Sequence, residues 1–324
     1  MKFSVLNSTN PYINLAIEEY LLKYTKEDYF LLWQNEPTVV IGKNQNAFAE
    51  VNVDFTREKN IHIARRISGG GAVYHDFGNL NFSFILNKAN AKIDFLKYTS
   101  PIVSALKKLG IFTEISGRND ILLEGKKISG NAEAIFENRI LHHGTLLFDT
   151  DIEILTSALR TNKEKIQSKA IKSISSRITN IKRHLAGDYS ISDLISCITE
   201  YIMKEYSAQI FTPEISQEIL ALSERNASER YLFPERNFLS SYTLTLKKRY
   251  DFGSVCVLLN MKNDKIVNSK IEGDFFGAKD INELELLLDN AVISDIPSIL
   301  SKLSVSDYIF GMTNEEFFEL LKPD

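Results

Sequence analysis

Chemistry is densest in the stretch Arg65-Arg66-Ile67-Ser68-Gly69-Gly70-Gly71-Ala72-Val73-Tyr74-His75-Asp76. Three consecutive glycines after a β-rich run remove every Cβ, so backbone N–H groups can close on an anion. An adjacent arginine adds charge-assisted, bidentate contacts. That combination suits a phosphate or a carboxylate. It has neither the Gly-Lys-Ser/Thr ending of a P-loop nor the G-x-G-x-x-G spacing of a dinucleotide turn. A bare run of glycines is equally a turn that needs permissive φ/ψ, and the flanking Arg-Arg and His-Asp tilt the reading toward a site.

A second cluster joins Gly117-Arg118-Asn119-Asp120 to Lys126-Lys127-Ile128-Ser129-Gly130-Asn131-Ala132. A lysine followed by small residues at a turn can set its ammonium beside a carboxylate or an α-phosphate, and Asp120 can recruit Mg2+. Taken alone, a Lys-Lys pair reads as solvated surface. The third cluster is Leu141-His142-His143-Gly144-Thr145, where strand alternation sends the two imidazoles to opposite faces, so at most one is expected on the core face. With five histidines, no H-E-x-x-H motif and no paired cysteines, a zinc site is not expected. His143, beside a glycine, is a candidate to line an apolar pocket. Cys197 and Cys256 fall in apolar patterns and read as buried thiols in a reducing compartment, which argues against a covalent thioester. A basic run from Arg160 to Arg183 carries a single acid, Glu164. It reads as a solvated segment or as the place that draws phosphates or an acidic partner.

These clusters need elements to position them. Asn10-Pro11, followed by apolar residues at 13, 17, 20, 21 and 24, predicts a capped helix. Residues 29–33, 38–42 and 61–65 read as strands. Ser100-Pro101 reads as the start of a helix that ends near Gly110. Strands are expected over 111–115, 121–124, 127–129 and 139–148, with a tight turn at Glu124-Gly125 and antiparallel pairing. Helical patterns dominate 152–222. The polar run 223–230 places a linker near 223–245, which divides the chain into a larger domain at 1–245 and a smaller one at 246–324. The second holds strands over 241–247, 254–259 and 266–271 and two short helices. The expected class is α+β: a large domain of mixed, mostly antiparallel sheets packed by helices, plus a small α+β C-terminal domain.

Composition limits the function classes. At 324 residues the chain is long for one domain, and 44% hydrophobic with 25% charged residues describes a folded protein. A balance of 38 basic against 42 acidic residues gives −4, which excludes nucleic-acid binding through bulk positive charge. No run reaches the ~18 apolar residues of a membrane span, and the start lacks a signal-peptide apolar core. The expectation is a cytoplasmic protein.

In order and spacing the motifs resemble the lipoate-protein ligase A family, within the superfamily that holds biotin-protein ligases and octanoyltransferases. The resemblance runs through residues 10–19, 32–35 with 39–46, the 65–76 glycine loop with Gly78-Asn79, then 116–120, 127–132 and 142–147, and more loosely 175–180. It implies an ATP-dependent ligase that converts lipoate to lipoyl-AMP and transfers the lipoyl group to a lysine of an apo lipoyl domain. Lys127 matches the family's catalytic lysine. Arg66, Gly69, Gly70, Gly71, Ala72, Val73, Tyr74, Asn79, Asp120 and Lys127 match nucleotide-binding positions, with Asp120 also a Mg2+ contact. Glu18, Trp33, Arg66, His75, Lys127, His143 and Gly144 match lipoate-binding positions. Implied cofactors are ATP and Mg2+. Implied partners are lipoyl domains of 2-oxoacid dehydrogenase E2 subunits or the glycine-cleavage H protein, met by a monomer that needs neither nucleic acid nor membrane. Two other readings are an ATP-independent lipoyl or octanoyl transferase and a non-catalytic lipoyl-adenylate-binding protein. The chain departs from the family at Ala134, where some members carry arginine, and at 231–236, where a Trp-rich stretch is common.

Overall fold

The computed structural model describes residues 1–88, 92–116, 119–160, 177–229 and 242–322. Its architecture is α+β, as expected, and is organised by one strand. β6, Asn79–Asn87, pairs on both sides and alternates strictly: Leu80, Phe82 and Phe84 join one hydrophobic cluster, while Asn79, Asn81 and Ser83 point to the opposite face. The main sheet has eight strands in the order β11-β1-β2-β6-β10-β9-β8-β7. These are β1 Lys2–Val5, β2 Tyr29–Trp33, β7 Glu114–Ser116, β8 Asp120–Leu123, β9 Lys126–Phe136, β10 Arg139–Leu147 and β11 Gln209–Ile210. β1 runs parallel to β2 and β11, and every other pairing is antiparallel.

Helices Phe95–Lys108 and Ile191–Glu205 cover the Phe82 face through Tyr98, Ile102, Leu106, Leu194, Ile198 and Ile202. The other face is covered by helix Pro11–Tyr24, which Asn10 caps by accepting from the N–H groups of Tyr12 and Ile13, and by a small sheet of order β4-β3-β5. That sheet holds β3 Thr38–Ile41, β4 His62–Arg65 and β5 Val73–His75. Covering both faces buries His142 and His143 alike, whereas alternation alone led us to expect one of them on the core face.

Several boundaries differ from the sequence reading. The helix expected at Ser100 begins at Phe95, capped by Asp94, with Pro101 in its interior. Proline removes one backbone hydrogen bond, yet the helix persists because Tyr98, Ile102 and Leu106 bury along one side. The strand expected to stop at Ser129 continues to Phe136, because β9 pairs with β8 at its start and with β10 at its end. Glu124 and Gly125 both take positive φ, 51° and 74°, as a two-residue hairpin turn requires. Residues 223–229 belong to helix Gln217–Glu229 rather than to a linker, docked by Ile219, Leu222 and an Arg225–Glu19 ion pair of 2.8 Å. The rest of the expected linker, 230–241, lies outside the described residues. Cys197 and Cys256 are partly exposed rather than fully buried.

Residues 244–321 form a separate hydrophobic cluster around an antiparallel meander of β12 Leu244–Tyr250, β13 Gly253–Lys262 and β14 Lys265–Gly273. Three short helices, Ile281–Leu288, Ile296–Leu300 and Asn314–Leu321, complete it where two were expected. This unit docks on the larger one: Gly70 N donates to Phe275 O at 3.1 Å, Gly273 N to Asn44 O at 2.8 Å, and the Phe276 ring lies 4.9 Å from that of Phe95.

Phe84 is 1% exposed and packs at the centre of the main core, its ring tilted against those of Phe30, Tyr98 and Tyr206. We expect Phe84→Ala to cost about 3–5 kcal/mol. Urea denaturation followed by the fluorescence of Trp33, the chain's single tryptophan, reads this unit alone.

Candidate active site

The polar face of β6 becomes the floor of a pocket. Trp33 on β2, Asn81 on β6 and Thr145 on β10 lie in register, and the next row aligns Leu31, Ser83, His143 and Ala132. Above them the 66–73 loop crosses between β4 and β5. The pocket between them is partly open to solvent and has a cavity volume of about 90 Å³. Of the lipoate-binding candidates, Trp33, Arg66, His75, Lys127, His143 and Gly144 line it, and Glu18 lies behind the wall. Gly144 is required there, since a Cβ would fall 2.2 Å from Asn131 Oδ1 and 2.6 Å from the Phe82 ring.

The glycine loop is folded around a buried guanidinium. Arg66 is 6% exposed and donates to Gly69 O (2.6 Å), Gly71 O (2.8 Å), Val40 O (3.3 Å) and Ser68 Oγ (3.0 Å). Burial pushes its pKa down to about 10, so it remains a cation at neutral pH. The glycines serve different ends. Gly69 and Gly70 make room for the C-terminal unit: a Cβ on Gly69 would meet Phe275 O at 2.3 Å, and Gly70, at φ +86°, faces the Phe276 ring. Only Gly71, with open space around its Cβ position, lines the cavity with Ala72 and Val73. Of the three glycines expected to cradle an anion, Gly71 faces the cavity, while Gly69 and Gly70 lie against the C-terminal unit.

Beneath the loop runs a continuous hydrogen-bonded chain. Trp33 Nε1–H donates to Ser83 Oγ at 2.8 Å, and Ser83 O–H to Glu18 Oε1 at 2.6 Å. His143 Nδ1 lies 3.0 Å from the same carboxylate and its Nε2 2.6 Å from Ser68 Oγ. The Glu18 carboxylate accepts from His143 Nδ1–H, and Ser68 Oγ, which accepts from Arg66, sits at the other ring nitrogen. Every member is buried, and the chain fixes Trp33, His143 and Arg66 relative to one another. His75 closes the Trp33 end, its ring 5.9 Å from the indole, with Nδ1 3.1 Å from Asn35 Nδ2. Burial, with Arg66 and His143 nearby, pushes its pKa from 6.5 down to about 3, so the imidazole is neutral.

At the opposite end Lys127 Nζ pairs with Asp120 Oδ1 at 2.8 Å, each side chain about a third exposed. Gly130 leaves the space this ammonium needs, its Cβ position being 3.0 Å from Nζ. Backbone bonds from Lys127 N to Arg177 O (2.8 Å) and Thr179 N to Lys127 O (3.0 Å) fix the strand. Among the described residues no three His, Cys, Asp or Glu side chains group as a metal site. Asp120 alone fits the usual Mg2+ arrangement, one carboxylate plus substrate phosphates.

The remaining nucleotide candidates stand off the cavity. Tyr74 packs in the core beneath the small sheet, and Asn79 donates to Asn81. Residues 161–176 of the basic run lie outside the described residues. The sequence reading passed over Ser68, Ser83, Asn81 and Asn35. A polar residue at every second position of an otherwise apolar strand was the available signal for two of them.

A family model described as the lipoyl protein ligase A/B catalytic domain matches residues 10–203, and one for the bacterial lipoate protein ligase C-terminus matches 240–321. The chain belongs to the lipoyl protein ligase A/B family. Within it, the chain is 40% identical to lipoate-protein ligase LplJ of Bacillus subtilis, over 97% of this chain and 98% of that one. It is 38% identical to lipoate-protein ligase 1 of Staphylococcus aureus, over 99% and 100%. The solved structure of P. falciparum LipL1 in complex with lipoate superposes with a TM-score of 0.79, at 26% identity and covering 94% of each chain. A lipoate-protein ligase A bound with ATP gives 0.59 at 25% identity, covering 73% of this chain and 98% of that one.

A buried imidazole whose folded pKa is about 3 against 6.5 takes up its proton more readily when unfolded. Its contribution is complete above pH 6.5 and is lost as pH falls toward 3. We expect about 3 kcal/mol of stability lost to this group between pH 7 and pH 4. Denaturation midpoints of the wild type and His75→Gln across that range check it: the variant's profile should be flatter.

Proposed function

We propose that the chain joins lipoate to ATP as lipoyl-AMP and then passes the lipoyl group to a lysine of an apo lipoyl domain. The observation that carries this reading is the shape of the pocket. It runs across three strand spacings, ~14 Å, from an apolar end at Trp33 and His75 to a cationic end at Lys127. An acyl chain fits along it with its carboxylate at Lys127.

In the first step a carboxylate oxygen attacks the α-phosphorus, the P–O bond to pyrophosphate breaks, and pyrophosphate leaves with the electron pair. Two anions must approach, and the barrier falls where fixed cations and N–H donors face the developing charge. Lys127 supplies a cation at that point, and Gly71 leaves backbone accessible beside it. Arg66 acts mainly by shaping the loop, since its N–H groups are committed to protein acceptors. In the second step the acceptor lysine's neutral amine attacks the carbonyl, the C–O bond to AMP breaks, and the amine proton is released. Asp120 would hold Mg2+ together with the phosphates, and the ion would neutralise charge on the departing pyrophosphate.

Acceptors on this reading are lipoyl domains of 2-oxoacid dehydrogenase E2 subunits or the glycine-cleavage H protein. A bi-partite lipoate protein ligase of Thermoplasma acidophilum, described together with its E2 lipoyl domain, is 28% identical and superposes with a TM-score of 0.64 over 73% of this chain. The same reading takes the protein as a cytoplasmic monomer divided into domains at 1–245 and 246–324. Among the described residues no helix is long and apolar enough to cross a membrane.

Incubation with lipoate, Mg-ATP and an apo lipoyl domain should release AMP and pyrophosphate and add a lipoyl group. Lys127→Ala should lower the rate by about 10²–10³-fold. Transfer from a lipoylated protein without ATP, or full activity in Lys127→Ala, contradicts the proposal.

A further inference from the structure

Two asparagines stand in line behind His75. Asn14 and Asn35 are both 0% exposed. Asn14 Nδ2 donates to the backbone oxygens of Ser8 (2.9 Å) and Gln34 (3.0 Å) and lies 2.9 Å from Asn35 Oδ1. The two carbonyls identify the nitrogen end of the Asn14 amide. Asn35 must then turn its oxygen toward Asn14, because the other orientation would set two NH2 groups against each other. Its own NH2 therefore faces His75 Nδ1, 3.1 Å away, and makes that nitrogen the acceptor. A neutral imidazole carries one N–H, so the proton of His75 is on Nε2. That nitrogen is buried and has no partner among the described residues, on a side chain that lines the cavity beside Trp33.

We infer that Asn14 and Asn35 are positioning residues. They hold His75 in its Nε2–H tautomer and present that donor to the apolar end of the cavity, where it favours an acyl chain bearing a hydrogen-bond acceptor over a plain aliphatic chain of equal length.

The tautomer stands on the amide network alone; the choice between acids rests on the ligase reading. The dithiolane sulfurs of lipoate are weak acceptors, whereas octanoate ends in a methyl group. Against that methyl the Nε2–H stays without a partner, whereas a sulfur would give it one, which is how a site built around a polar contact discriminates against an analogue that lacks it.

The experiment uses the full chain with 15N in its histidine rings, the His75 signals being assigned by their loss in His75→Gln. The wild type should show Nδ1 bare and Nε2 protonated. Lipoate should shift the Nε2–H resonance, and octanoate should leave it in place. In Asn35→Asp the new carboxylate accepts from Nδ1, so the proton should move there. In ligation assays that variant should raise KM for lipoate about fivefold while KM for octanoate stays within about twofold. A wild-type Nδ1–H tautomer, an Asn35→Asp spectrum like the wild type, or equal responses to the two acids overturns the inference. The wild-type spectra decide it even where the variant fails to fold. A wild type with the expected tautomer that ligates neither acid overturns the ligase reading instead.

Discussion

One imidazole joins the floor of the pocket to its roof. His143 lies 3.0 Å from Glu18, on the helix that covers the same face of the sheet, and 2.6 Å from Ser68, in the loop above. A polar group taken out of water without a partner costs about 1–3 kcal/mol, and an unpaired charge costs more. The pocket needs a buried guanidinium and a buried carboxylate within an otherwise apolar wall, and such a wall is stable only if each group is satisfied. The run Trp33–Ser83–Glu18–His143–Ser68–Arg66 satisfies them by linking them. The loop conformation, the indole orientation and the cavity shape all follow from that linkage.

The same economy governs the loop. Arg66 spends its donors on the carbonyls of Gly69 and Gly71, which bends the glycine run back over the sheet. That bend puts Gly70 at φ +86°, where side chains are strained, and brings Gly69 against Phe275 O. The C-terminal unit packs onto the surface so made, with Phe276 fully buried between Phe95 and Ala132. The pocket roof is thus a layer shared between the two units, and only Gly71 to Val73 remain open to the cavity. At the far end no comparable burial exists: Lys127 and Asp120 are exposed enough for water to screen them, which leaves the ammonium able to exchange its partner.

Much of this was legible in the sequence where one local rule acts alone. Asn10-Pro11 marks a helix start by capping chemistry, Glu124-Gly125 marks a hairpin turn, and the spacing of Arg66, Lys127, Trp33, His75 and His143 carried the family resemblance. What failed depended on neighbours distant in sequence. Ser100-Pro101 looks like a helix start until Phe95 and Tyr98, in the turn before it, pack against Phe276, His142 and Phe84. Ser129-Gly130-Asn131 looks like a turn until β8 and β10 pair with it. The roles of Gly69 and Gly70 need the approach of Phe275 and Phe276, some two hundred positions away. Ser68 and Ser83 were passed over because a serine gains its role from the groups on either side of it.

Glu18 and Ser68 act on each other through His143. A double-mutant cycle on unfolding free energy tests it most directly, using Glu18→Gln, Ser68→Ala and the pair. Residues joined through one buried network should couple by about 1 kcal/mol or more, so the double variant should lose clearly less than the two single losses combined. Losses that add within about 0.3 kcal/mol would show two independent contacts and contradict the account.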